Sequence, residues 1–309
     1  LKPLDPSAVA EAACPITVEA HRGSQRYPEN SERAVKAALD EGYAGVEVDA
    51  QLSVDGHWVI HHDAVLGRTV DAGRYTGKRV AQVPYRTLRR LRLKNSDGKR
   101  TRYYLPGLDD VVDAFADRAK PGQHLNIEVK GNYACPQLRD LHRQVSSRLE
   151  PEQIRYSSMD LGALRCLRSA APDVYLGYVA APDNASLDAS SGGRYKKVRG
   201  ALLKYAGYDI RRLGGEHRNE QVSLSSSGLQ RLKRTLGGWA GVHADVRQLG
   251  REPALIRRMR GEGLALFSYT INGTGYHLST LRRLPSSARR QLSGAISDSK
   301  PEQVCRAAR

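Results

Sequence analysis

A chain of 309 residues, 40% of them hydrophobic and with a net charge of +16, can bury a large core, and it holds no apolar run near the roughly 18 residues of a membrane span. The excess of base attracts anions in general, whether phosphates, anionic lipid head groups or nucleic acid. Yet the bases are spread along the chain, and no RNP-like or zinc-finger pattern orders its 15 tyrosines.

Residues 1–16, broken by Pro3, Pro6 and Pro15, read as an N-terminal arm. The start at Leu1, without an initiator Met or a charged and apolar leader, fits either a trimmed chain or a mature protein freed of its signal peptide. A short strand over 16–20 then ends in His21-Arg22-Gly23, where glycine suits a sharp turn close to a ligand. Asn30 or Ser31 caps a helix over 32–41.

The stretch 45–63 carries the most chemistry. Glu47 and Asp49 alternate with Val46 and Val48, so both acids share one face of a strand. Gln51 continues that face, Asp55-Gly56 turns the chain, and a second extended run delivers His61, His62 and Asp63. Two hard oxygen ligands and an imidazole brought close by local geometry are what a metal-assisted hydrolase requires.

Residues 64–106, rich in Arg, Lys, Gly and Thr, read as a loop-like cover with a short helix anchored by Leu88 and Leu91. Next, Leu108, Val111, Val112 and Phe115 have helical spacing, which puts Asp109 and Asp110 in a first turn, where the helix dipole favours them as structural residues. A third strand, 124–131, sets Asn126, Glu128 and Lys130 on one face.

The alternation continues with helices over 137–149, 161–171, 228–235, 252–261, 276–283 and from 301, and strands over 154–159, 174–180, 241–246, 264–271 and 294–297. Residues 181–224 break the rhythm and read as a cap-like insertion after the fifth strand. Taking 45–53 and 58–61 as one broken second strand leaves eight β/α units. That count predicts a TIM (β/α)8 barrel, one domain over 1–309, with its chemistry at the carboxyl face of the strands.

Four cysteines without a CxxC argue against a zinc knuckle. In a closed barrel, Cys14 ahead of the first strand neighbours Cys305 in the last helix, while Cys135 and Cys166 belong to consecutive helical units. Two disulfides, Cys14–Cys305 and Cys135–Cys166, are therefore expected, and with them a secreted or periplasmic location.

The motifs HRG at 21–23, PENS at 28–31, EVDAQLSVDG at 47–56, VIHHD ending at 63, LPGL at 105–108, IEVK at 127–130, SYTIN at 268–272 and GAISD at 294–298 with Pro301 follow one another in order. With them the chain resembles the glycerophosphodiester phosphodiesterase family and the related lysophospholipase D enzymes. The resemblance implies one divalent cation, Ca²⁺ or Mg²⁺, held at Glu47, Asp49 and Glu128. It implies a paired acid and base at His21 and His62, a phosphate contact at Arg22 and a further positive group at Lys130. The family's histidine directly precedes Asp63, which selects His62 over His61. Tyr269 stands where the family often has tryptophan, at the position that meets substrate.

The implied reaction is hydrolysis of a glycerophosphodiester to glycerol phosphate and an alcohol, with water or the substrate's vicinal hydroxyl as nucleophile. Two alternative readings are a lysophospholipase D using the same metal site and a non-catalytic barrel binding anionic lipid or nucleic acid. The expected partner is a small-molecule phosphodiester or lysophospholipid, with transient contact with a membrane surface, no nucleic acid, and a monomeric state.

Overall fold

The computed structural model describes residues 14–182, 220–272 and 275–309. The N-terminal arm and the cap expected at 181–224 thus fall, all but their ends, outside the described residues. The strands are β1 (Thr17–His21), β2 (Gly45–Leu52), β3 (Trp58–Ile60), β4 (Val70–Asp71), β5 (Arg92–Lys94), β6 (Arg100–Tyr104), β7 (His124–Val129), β8 (Ile154–Ser158), β9 (Tyr175–Val179), β10 (Ala240–Asp245), β11 (Ala265–Ile271) and β12 (Gly294–Ser297).

Eight parallel strands close a barrel in the order β1, β2, β7, β8, β9, β10, β11, β12, with β1 paired to both β2 and β12. Every residue of β2, β7 and β10 is buried, because one face of each lines the lumen and the other lies under helices. The first helix, Glu32–Asp40, starts at Ser31, whose hydroxyl accepts from Ala34 N at 3.0 Å. Asp110 closes the start of Leu108–Ala116 by accepting from Gly107 N at 2.8 Å, a structural role as expected.

Two elements depart from the sequence reading. The turn expected at Asp55-Gly56 is present, with Gly56 at φ 78°, but Trp58–Ile60 is not part of a broken barrel strand: β3 lies antiparallel on β2, outside the barrel. Residues 64–106 are not a loose cover either. They hold the antiparallel sheet β4-β5-β6 over a separate core that includes Leu66, Val70, Val80, Leu88, Leu93 and Leu105. Strands of two to five residues, with Arg, Lys and Tyr on the outer positions, carry too few apolar residues to announce themselves.

Both expected disulfides are present, with Cα atoms 5.1 Å apart for Cys14–Cys305 and 5.2 Å for Cys135–Cys166. One ties the chain ahead of β1 to the last helix, and the other joins the helices Cys135–Ser146 and Leu161–Ala170.

The lower half of the lumen is polar where barrels of this kind are usually filled by branched apolar side chains. Glu19 accepts from Arg155 at 2.9 Å and Asn126 at 2.8 Å, and lies 2.9 Å from the His124 ring, all four being buried. The Arg155 guanidinium stacks on Tyr175, Trp239 and Phe267 at 5.2 to 5.4 Å from their centroids. Gly45 leaves room for this layer, since a Cβ there would overlap the His124 ring.

Burial would raise the Glu19 carboxyl, but His124, Arg155 and His243 outweigh it and hold the carboxyl at about 2. Burial lowers His243 to about 4. Unfolded, these groups take up protons near 4.5 and 6.5, so in both cases the unfolded chain binds more protons and stability is lost as the pH is lowered. Urea titrations should show a decline that begins below pH 6.5, reaches about 3 kcal/mol from His243 by pH 4, and steepens below 4.5 as Glu19 joins. His243→Gln should make the slope between 6.5 and 4.5 shallower, leaving the share that the lowered His62 contributes there; an unchanged slope would contradict the assignment.

Candidate active site

The site is built by strand register. In parallel pairing, His21 at the end of β1 lies opposite Glu47, and Asp49 lies opposite Glu128. Residues of one register on neighbouring parallel strands point the same way, so the imidazole and three acids all enter the lumen at its carboxyl end. Among the described residues, Glu47, Asp49 and Glu128 form a cluster in which one oxygen from each lies within 4.8 Å of the others.

The backbone after β1 bends to meet this cluster. Arg22 and Asn30 both adopt left-handed conformations, φ 57° and 63°, which side-chain-bearing residues take only when surroundings hold them there. Gly23, at φ 88°, passes so near Ala34 that a Cβ would overlap its backbone. The turn delivers Arg22 N to Glu47 Oε2 at 3.1 Å and Arg22 Nε to within 3.3 Å of Asp49 Oδ2. Asn30 clasps Asp49 twice: its Nδ2 donates to Oδ2 at 2.9 Å, and its Oδ1 accepts from the Asp49 N–H at 3.1 Å. Ser31 is the helix cap; Asn30 belongs to the site.

Charge in the cluster is unequally shared. Burial, then the charges of Asp49 and Glu128, push the Glu47 carboxyl well above its ordinary range. Burial acts the same way on Asp49, but Lys130, His62 and Arg22 override it and keep that carboxyl ionised far below its usual range. The Lys130 ammonium lies 2.6 Å from Glu128 Oε1 and 3.2 Å from Asp49 Oδ1. Even so, Glu47 Oε1, Asp49 Oδ1 and Glu128 Oε1 are buried without an aligned hydrogen bond. Buried oxygens left in that state, in an all-carboxylate set, fit a hard divalent cation.

The two adjacent histidines have different surroundings. His61 has both ring nitrogens engaged, Nδ1 with the Asp63 carbonyl at 2.7 Å and Nε2 with Thr69 Oγ1 at 3.0 Å. Among the described residues, His62 is tied at one nitrogen only, Nδ1 to Asp63 Oδ1 at 2.7 Å. Burial and the nearby Arg22 and Lys130 charges lower it to about 3, so at neutral pH it is an uncharged imidazole. With its Nδ1 proton on Asp63, Nε2 is left as an acceptor. His21 is paired in the same fashion, Nδ1 to Asp298 Oδ1 at 2.8 Å.

Several members of this arrangement escaped the sequence reading. Asp63 is gripped by Arg68 at 2.7 and 2.8 Å; Arg68 also donates twice to Glu29, which accepts from Arg22 at 2.9 Å. Gln51, seen only as continuing the acidic face, donates to the carbonyls of His61, His62 and Asp63 and so fixes the loop. Tyr269 reaches the rim, where its hydroxyl donates to the Ala180 carbonyl and its ring packs on Met159 and Val179. Burial, followed by Asp245 and Glu128, keeps that hydroxyl protonated.

A closed parallel barrel with buried acids, carboxylate-paired histidines and an arginine at the carboxyl end of its strands defines a TIM-barrel protein of the phosphodiesterase kind. The chain belongs to the glycerophosphoryl diester phosphodiesterase family, whose sequence profile matches residues 21–293. The glycerophosphodiester phosphodiesterase of Caldanaerobacter subterraneus is 29% identical over 164 residues, a match spanning 52% of this chain and 65% of that protein. That of Bacillus altitudinis is 27% identical over 191 residues, 59% of this chain and 76% of its own length. An Oleispira antarctica phosphodiesterase, solved in complex with the product sn-glycerol-3-phosphate, shares the fold with a TM-score of 0.62 at 20% identity, over 94% of this chain and 96% of that one.

The clasp on Asp49 makes a measurable demand on position 30. Asn30→Ala loses both hydrogen bonds and keeps a Cβ at positive φ, so urea denaturation should show about 2–4 kcal/mol of destabilisation. Asn30→Gly loses only the bonds and should be about 1 kcal/mol milder. Equal losses would mean that the backbone at this turn is not constrained.

Proposed function

We propose that the protein is a metal-dependent phosphodiesterase that hydrolyses glycerophosphodiesters to glycerol phosphate and an alcohol. The observation that carries this reading is the cluster of buried oxygens of Glu47, Asp49 and Glu128 that lack an aligned hydrogen bond, beside two carboxylate-paired imidazoles. The three carboxylates would hold Ca²⁺ or Mg²⁺, which when bound supplies positive charge to a phosphate oxygen and acidity to an oxygen nucleophile.

The chain's own groups do the rest. Arg22, oriented by Glu29 and Asp49, offers its guanidinium to the phosphate, and Lys130 adds a second positive charge beside Asp49 and Glu128. His62, neutral and with Nε2 open as an acceptor, takes the proton of the attacking water or vicinal hydroxyl. His21 delivers a proton to the departing alkoxide from Nε2, while Asp298 steadies the ring at Nδ1. Tyr269 borders the substrate at the rim.

A second reading, cleavage of lysophospholipids, draws on a cavity of about 360 Å³ lined by Met159, Tyr178, Val179, Ala180, Val222 and Leu224 among others. Its apolar members Met159 and Val179, which pack against Tyr269, would meet one acyl chain, while Gln221, Ser223 and Gln248 make the rest of the lining polar; a panel of glycerophosphocholine against lysophosphatidylcholine separates the two substrates. The two disulfides are compatible with an extracellular or periplasmic location, to which we assign the protein.

Release of alcohol from glycerophosphocholine should disappear with EDTA and return with Ca²⁺ or Mg²⁺. Glu47→Gln and Glu128→Gln should weaken calorimetric cation binding at least tenfold and be partly rescued by excess ion. His62→Ala should bind the cation normally and lose roughly 10²- to 10⁴-fold in turnover. Near-normal turnover in His62→Ala, or unaltered cation binding in Glu128→Gln, would remove the corresponding assignment.

A further inference from the structure

The sheet β4-β5-β6 belongs to a subdomain whose charge is out of proportion to its size. Of the residues from 64 to 106, twelve are Lys or Arg and two are Asp, a net +10 of the chain's +16. Pairing across β5 and β6 sets Arg92 opposite Tyr104 and Lys94 opposite Arg100, so these four share one side of the sheet. Arg102 lies between Arg100 and Tyr104 with the same alternation of exposure. Leu93, on the other side, is in the subdomain core. The face that results is basic, with one large amphipathic ring: Tyr104 is 47% exposed and carries the Arg92 guanidinium 4.6 Å from its centroid.

Little on that face neutralises it. Asp71 stands opposite Arg92 and pairs with Arg100 at 3.4 Å, an exposed contact of small worth. The subdomain is also firmly joined to the barrel mouth. Arg68 binds Asp63 and Glu29, and Tyr103 meets Tyr27 edge-on at 6.2 Å in the loop that follows β1.

We propose that this face, through Arg92, Lys94, Arg100, Arg102 and Tyr104, docks the protein on anionic phospholipid surfaces. Charge complementarity selects the partner: a bilayer rich in anionic head groups presents a plane of negative charge to a plane of bases, with tyrosine suited to the head-group level. Stacking of nucleic-acid bases fits less well, because Arg92 covers the exposed tyrosine ring. The contact is peripheral, since among the described residues no helix is long and apolar enough to cross a membrane. Docking needs no turnover, so it stands or falls apart from the catalytic reading.

The test is co-sedimentation of the whole chain with vesicles of phosphatidylglycerol and phosphatidylcholine, or of phosphatidylcholine alone, in 50 mM salt. Each base at an anionic surface contributes about a fivefold factor in partitioning. The variant Arg92→Ser, Lys94→Ser, Arg100→Ser, Arg102→Ser should therefore lose binding to the anionic vesicles at least tenfold. A control with equal charge removed, Arg257→Ser, Arg260→Ser, Arg282→Ser, Arg283→Ser, should lose less than threefold. In the unaltered protein, hydrogen exchange of residues 92–104 should slow when anionic vesicles are added, which gives a readout even if the fourfold variant unfolds. Equal loss in both variants, no preference for anionic vesicles, unchanged exchange over 92–104, or tighter binding of an oligonucleotide than of vesicles would each overturn the proposal.

Discussion

Three carboxylates forced together in a low-dielectric lumen set the terms for everything around them. Strand register leaves no choice: Asp49 and Glu128 are opposite one another on neighbouring strands, and Glu47 is one pleat away. Like charges this close cannot all ionise without compensation, which is why Glu47 is pushed up while Asp49 is held down. Lys130 and Arg22 supply part of the compensation, yet Glu47 Oε1, Asp49 Oδ1 and Glu128 Oε1 remain buried without an aligned hydrogen bond.

The surrounding chain is shaped by that requirement. The left-handed turn at Arg22 exists to aim a backbone N–H and a guanidinium at the acids, and the second left-handed residue, Asn30, fixes Asp49 from behind. Two residues beyond Asp49 on the same strand, Gln51 gathers three successive carbonyls so that His62 and Asp63 sit at a fixed distance from the same cluster. Beneath, Glu19, His124, Asn126 and Arg155 fill the lumen with a hydrogen-bonded polar layer. A packed lower half gives the upper half rigid walls, which is what a preorganised site needs.

The barrel was legible because period-2 alternation and β/α order survive in local sequence. Glu47, Asp49 and Glu128 were legible for the same reason, each being an acid at a regular position of an apolar strand. What was not legible depends on long-range geometry. Arg68 lies in a basic stretch where nothing local separates it from Arg74 or Arg79, and its role arises only from reaching both Asp63 and Glu29. Asn30 looked like a cap because Asn beside Ser before a helix commonly is one; its positive φ, set by the turn, directs it elsewhere. The small sheet β4-β5-β6 was hidden because its strands are short and basic, with apolar residues only on the inner face.

The central claim is that a divalent cation completes the acid cluster, and crystals grown with Mn²⁺ test it most directly by anomalous scattering. The account predicts one strong anomalous peak within roughly 2.0–2.6 Å of an oxygen from each of Glu47, Asp49 and Glu128. No peak there at millimolar Mn²⁺, with the Lys130 ammonium still lying 2.6 Å from Glu128 Oε1, would contradict it.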